Sequence, residues 1–249
     1  MTVSLSDNQD NNQTRAKRYP VICIDGPSGA GKGTAAWRLA QVLGYQLLDS
    51  GALYRIVGLK AFEAGLITAD TEQAIDESAV LALTQNLQIV FEPNVESGRI
   101  DIIVNGGLVG EQVRNETVGG YASRIAVFPK VRAALLTLQR EMAMHSGLVA
   151  DGRDMGTVVF PDADIKVFLT ASAKARAERR VTQLTKAGQQ ADYEAILATI
   201  KTRDDRDENR KTAPSKPAED AYLIDSSELN ADQVYERIKI HCQQHGICF

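Results

Sequence analysis

The chain has 249 residues, 44% hydrophobic and 24% charged, with a net charge of −4. That suits one large domain, or a core with insertions, with enough apolar residues to bury a real core. The charge argues against a bulk electrostatic nucleic-acid binder, no apolar run approaches a membrane span, and no secretory leader is visible, so the expected location is cytoplasmic. Cys23, Cys242 and Cys248 do not make a disulfide framework.

Residues 1–18 are mostly polar and are expected to form a disordered tail. The apolar run Val21–Asp25 then reads as a buried strand, followed by Gly26, Pro27, Ser28, Gly29, Ala30, Gly31, Lys32, Gly33 and Thr34. A helix is expected over 34–43. Strand, glycine-rich loop and helix in that order make a phosphate cradle: the glycines let several N–H groups converge on one anion, and the helix start adds its unpaired donors. Lys32 would meet the β- and γ-phosphates and Thr34 would sit near Mg²⁺. Gly33 between Lys32 and Thr34 departs from the general pattern and favours the nucleotide-kinase variant of the loop.

A second strand is expected over Tyr45–Asp49. Ser50 is the candidate N-cap of the helix that follows, with Arg55 one turn in and aimed at the same cleft. Residues 68–128 interrupt the pattern as an inserted subdomain. Within it a helix is expected over 71–86 and a hairpin from Leu87–Phe91 and Arg99–Val104, with Pro93, Asn94 and Gly98 as turn residues. A helix over 130–145 precedes the strand Leu148–Asp151, whose terminal Asp151 is placed to hold Mg²⁺ through water. Gly152, Arg153 and Asp154 follow at the same edge.

After the strand Ile165–Leu169, residues 171–217 are dense in charge and read as a mobile lid with helices over 172–187 and 191–208. Arg176, Arg179 and Arg180 lie in the first; Arg203, Arg206 and Arg210 recur at helical spacing in the second. Arginines on a closing element can neutralise a transferring phosphoryl group. A last strand, Tyr222–Asp225, and a helix over 231–244 complete the chain. His241, Cys242, His245 and Cys248 are metal-ligand types, but the segment is terminal and reads as a fraying helix end. Strands alternating with helices argue for an α/β fold: a parallel sheet flanked by helices, with its ligand site beyond the strands' carboxyl ends. The P-loop core would comprise 19–67, 129–170 and 218–249.

The loop 26–34, the run Leu48–Arg55, the run Ala150–Ala163 and Arg203-Asp204-Asp205-Arg206-Asp207 together resemble the bacterial cytidylate kinases, over about residues 19–245. The resemblance implies transfer of the γ-phosphoryl group of ATP to CMP or dCMP with Mg²⁺, by a monomer. It also implies roles. Ser50, Ser123, Arg132 and Asp154 would lie by the acceptor nucleotide, the last three reading cytosine. Tyr54, Arg203 and Asp207 would face the ribose, and Arg55, Arg153 and Arg210 the acceptor phosphate. Lys32, Arg153 and Arg210 are the candidate catalytic residues. A small-metabolite kinase of the same fold, a P-loop switch or nucleic-acid-stimulated ATPase, and a non-catalytic nucleotide-binding module are the rival readings.

Overall fold

A computed structural model describes residues 19–69, 74–94 and 99–249. The expected tail, residue Gly98 and part of the helix expected over 71–86 lie outside the described residues. The main sheet has five parallel strands: β1 (Val21–Asp25), β2 (Gln46–Asp49), β6 (Leu148–Asp151), β7 (Ile165–Thr170) and β8 (Tyr222–Asp225), in the order β2-β6-β1-β7-β8. Every residue of β1 is buried, which is why its sequence is continuously apolar up to the terminal aspartate.

Side chains of β1 alternate between two cores. Val21 and Cys23 join a cluster with α2 (Ser50–Glu63), α4 (Glu116–Ile125) and α5 (Pro129–Met142). Ile22 and Ile24 join one with α1 (Lys32–Leu43) and α8 (Ala231–Gln244) on the opposite face. The helix expected from 34 begins at Lys32, with Gly31 as its left-handed N-cap.

Within residues 68–128, α3 (Glu77–Gln85) is shorter than expected and starts from the Asp76 cap. The hairpin is present as β3 (Ile89–Asn94) paired antiparallel with β4 (Arg99–Val104), and β5 (Gly107–Val109) adds a third strand. Pro93 and Asn94 are therefore strand residues and not the turn: β3 is an edge of the sheet β3-β4-β5, where a missing N–H is tolerated. Ile102, Val104, Val118 and Ile125 belong to the same buried cluster as Val21 and Leu48, so the insertion shares a core with one face of the main sheet.

The charged segment forms α6 (Ala173–Lys186) and α7 (Tyr193–Asn209), packed on each other. The chain end is docked and not frayed: α8 carries a full capping box at Asn230 and Gln233, the Ile247 N–H donates to the Cys242 carbonyl at 3.0 Å, and Ile247 is buried. Among the described residues no group of three or more His, Cys, Asp or Glu is arranged to hold a metal ion, and no helix is long and apolar enough to cross a membrane.

Candidate functional site

The cradle forms because Gly26, Gly29 and Gly31 take positive φ angles of 138°, 80° and 103°. Gly26 has no alternative: a Cβ there would lie 1.9 Å from the Leu169 carbonyl oxygen. Several loop carbonyls are tied down by donors. Lys32 Nζ donates to the Pro27 carbonyl at 3.0 Å, Arg176 Nη1 to that of Ser28 at 3.1 Å, and Ser226 Oγ to that of Ala30 at 2.9 Å. A trans peptide points its N–H away from the preceding C=O, so anchoring these carbonyls sets the direction of the next N–H groups. The helix start at Lys32, Gly33 and Thr34 adds further unpaired donors and the positive end of the dipole.

Lys32 and Asp151 face each other across the mouth of the cradle, 3.7 Å apart and both largely buried. Burial, then Arg153, holds the Lys32 ammonium below its ordinary value; burial raises the Asp151 carboxyl, against the pull of Lys32. A Cβ on Gly33 would meet Asp151 Oδ2 at 3.3 Å, so the glycine between Lys32 and Thr34 leaves room for that carboxylate. The donors gathered here, the Asp151 carboxylate and the exposed Thr34 hydroxyl, are hard oxygens. They fit a Mg²⁺ ion that takes one or two protein ligands and completes its shell with phosphate and water.

Across the cleft, Asp49 and not Ser50 caps α2, accepting from the Ala52 N–H at 2.9 Å. A carboxylate is the stronger cap at a positive helix end, and Ser50 is left as a buried first-turn hydroxyl lining the cleft. Arg55 Nη1 donates to the carbonyls of Val113 and Asn115, at 3.0 and 2.8 Å. A Cβ on Gly119 would lie 3.0 Å from Arg55 Nη2 and 3.4 Å from Arg203 Nη1, so both guanidiniums converge on the start of α4.

Asp154 forms the floor. It is 3% exposed, ion-paired with Arg132, and 3.4 Å from Arg210 Nη2. Burial, then Arg132, lowers the Arg210 guanidinium, with Asp154 opposing. Tyr54 stacks beneath Arg132, 5.5 Å from ring centroid to guanidinium carbon, and burial pushes its phenol up to about 12. Arg153 is held by Asp207 of α7 at 2.9 Å; burial disfavours its charge, but Asp207, together with Asp151 and Asp25, holds the guanidinium above its ordinary value. Ser123 accepts a hydrogen bond from Arg206 of α7 at 3.0 Å.

These side chains line one cleft of about 1210 Å³ at the carboxyl ends of β1, β2 and β6. That exceeds the roughly 300–1,000 Å³ of a single-ligand pocket. Basic side chains outnumber acidic ones along it, in a chain whose net charge is −4. Ser28 to Thr34, Ser50, Tyr54, Arg55, Ser123, Arg132, Asp151, Arg153, Asp154, Arg203, Asp207 and Arg210 all contribute to the wall. Gly26 and Pro27 do not: they lie behind the cradle and shape it.

The arginines of the charged segment divide. Arg176 and Arg179 spend their donors on the protein, Arg176 on Ala171, Ser28 and Asp204, Arg179 on the carbonyls of Ser226 and Leu229. Arg210 caps the end of α7 in an extended conformation, so it leaves the helical face it was expected to share with Arg203 and Arg206.

Sequence reasoning passed over two supports. Asp25, placed only at a strand end, accepts from the amides of Met155 and Gly156, both at 2.8 Å, and so orients the turn that carries Arg153 and Asp154. Ser226 is fully buried against the Ala30 carbonyl. The position of Asp25 next to Gly26 was a usable signal; nothing local marks Ser226.

The family model described as cytidylate kinase matches residues 22–244. The chain is 48% identical over 225 residues to a cytidylate kinase of Pasteurella multocida, covering 90% of this chain and 96% of that protein. It is 50% identical to one from Sodalis glossinidius, again covering 90% and 96%. Haemophilus influenzae cytidylate kinase 1 is 47% identical, with 92% and 96% covered. With the phosphate cradle, the arginine-rich opposite wall and the buried Asp154 in one cleft, these matches across nearly the whole chain place it in the cytidylate kinase family.

Proposed function

We propose that the chain transfers the γ-phosphoryl group of ATP to CMP or dCMP, giving ADP and CDP or dCDP. The observation that carries this reading is the buried Asp154–Arg132 pair, set across one cleft from the phosphate cradle. A carboxylate accepts from the exocyclic amine of cytosine, and a guanidinium donates to its ring nitrogen or carbonyl. Uracil presents a carbonyl where cytosine has the amine, and would leave a buried acceptor unpaired.

The acceptor phosphate is already ionised at neutral pH, so no general base is required. The obstacle is repulsion between two anions, and positioning and charge neutralisation supply most of the rate. The cradle amides and Lys32 hold the donor's phosphates. Arg55, Arg153 and Arg210 draw in the acceptor phosphate, and Arg153 also lies near enough to Lys32 to lower its ammonium. Tyr54, Arg203 and Asp207 flank the ribose. Thr34 and, by way of water, Asp151 would hold Mg²⁺, which would supply positive charge to offset that of the phosphates. Closure of residues 171–217 excludes water and suppresses hydrolysis of ATP. The chain acts as a cytoplasmic monomer.

The test is ADP release from Mg-ATP with CMP, dCMP, UMP, AMP or shikimate as acceptor. Fast release with CMP and dCMP alone is expected. Equal, slow release with all five would overturn the acceptor assignment.

A further inference from the structure

Arg176 is 4% exposed and bridges three parts of the chain. Its Nε donates to the Ala171 carbonyl at 2.9 Å. Its Nη1 reaches the Ser28 carbonyl at 3.1 Å and Asp204 Oδ1 at 2.9 Å, and its Nη2 completes a two-pronged pair with Asp204 Oδ2. The aliphatic stem lies against the tip of the cradle: a Cβ on Gly29 would be 3.4, 3.6 and 3.8 Å from Arg176 Cβ, Cγ and Cδ. With those donors spent on the protein, Arg176 has little left for a phosphate. We propose that it is a positioning residue, the mechanical link that makes donor and acceptor bind cooperatively; the inference rests on the kinase reading above.

Two rigid bodies carry the coupling. The peptide between Ser28 and Gly29 is planar, so fixing the Ser28 carbonyl fixes the Gly29 N–H in the opposite direction. A donor phosphate that recruits that N–H favours the anchored orientation. At the other end, Asp204 and Asp207 are three residues apart on α7 and share a face. Asp207 holds Arg153, and Arg203 beside Asp204 lines the acceptor half of the cleft. An acceptor that draws α7 inward therefore brings Asp204 onto Arg176. Each ligand favours the same arrangement of one bidentate pair, and such coupling is reciprocal.

The coupling is read as the ratio of CMP dissociation constants without and with a saturating non-hydrolysable ATP analogue and Mg²⁺, by titration calorimetry. In the wild-type chain the analogue should tighten CMP roughly tenfold, within the usual range of site-to-site coupling. In Asp204→Asn and, independently, in Arg176→Lys the ratio should fall toward one, because neither can form the fork-to-carboxylate pair. Asp204→Glu, which keeps the charge, should recover most of it. Thermal melts identify any variant that is merely unfolded, and the wild-type ratio is itself a test. A ratio near one in the wild type, or an undiminished ratio in a folded Asp204→Asn or Arg176→Lys, would overturn the coupling. Failure of the kinase reading looks different: no CMP-dependent ADP release by the wild-type chain at all.

Discussion

Replacing Asp154 with asparagine tests the cytosine assignment with the least disturbance to the fold. Alanine would strip Arg132, 8% exposed, and Arg210 of a buried partner, and orphaning a buried charge costs about 3–5 kcal/mol of stability. Asparagine keeps one oxygen, which should stay with Arg132, the closer of the two guanidiniums. Its amide nitrogen then occupies the place of the oxygen near Arg210. The acceptor offered to the cytosine amine becomes a donor. Losing a hydrogen bond to a charged group costs about 1.5–3 kcal/mol, a fall of roughly 10- to 150-fold in kcat/KM for CMP. Uracil's carbonyl can accept from the new amide, so the value for UMP should hold or rise. The assay is coupled ADP release with each acceptor, alongside a thermal melt. A folded Asp154→Asn variant with an unchanged CMP-to-UMP ratio would refute the assignment.

Three further outcomes follow from the geometry. Gly26→Ala should destabilise the fold by about 4 kcal/mol or more, because the new Cβ would meet the Leu169 carbonyl and the φ of 138° is strained for alanine; a denaturant midpoint near that of the wild type would contradict the packing. Asp25 is pushed up from 3.8 to about 6 by burial, against the two amides it accepts from. As pH rises from 4 to 6 the unfolded chain ionises while the folded chain keeps this proton, so the group subtracts up to about 3 kcal/mol of stability by pH 7, taking 1.36 kcal/mol per unit. The stability of the wild type relative to Asp25→Asn, which cannot ionise, should shrink by that amount over the same range, and a difference that is flat or grows would show the burial argument to be wrong. Trypsin should cut residues 171–217 more slowly when ATP analogue and CMP are both bound, since α7 is tied to the site by Arg153–Asp207 and Arg206–Ser123 and to α6 by Arg176–Asp204, and buries none of its residues fully; equal cutting rates would end the lid reading.

Much of this molecule is legible in local sequence, because the controlling forces there are local. Val21–Asp25, Leu148–Asp151 and Tyr222–Asp225 read directly as strands; the first two are apolar because both faces of the sheet are covered. The glycines of the cradle are required by its backbone conformation and by the nearness of Leu169, so loop 26–34 announces itself. Short or exposed features are less legible. Strand β5 has three residues and no buried one, and exists because β4 offers it an edge. Pro93 looks like a turn until β3 proves to be an edge strand. Asp49 rather than Ser50 caps α2, a choice between adjacent capping residues that depends on where the strand stops.

The pairing of charges was decided only by the tertiary structure. Arg132 stands in an unremarkable helix start, and family resemblance alone singled it out; the fold brings it to Asp154 across 22 residues. Arg176 and Asp204 sit in segments that read as a charged, mobile lid, yet Arg176 is only 4% exposed and its donors go to the protein. Composition and spacing say which side chains can carry charge. Which of them lose water and meet one another depends on how α6 and α7 lie over the sheet, and that arrangement is set by packing between elements far apart in the chain.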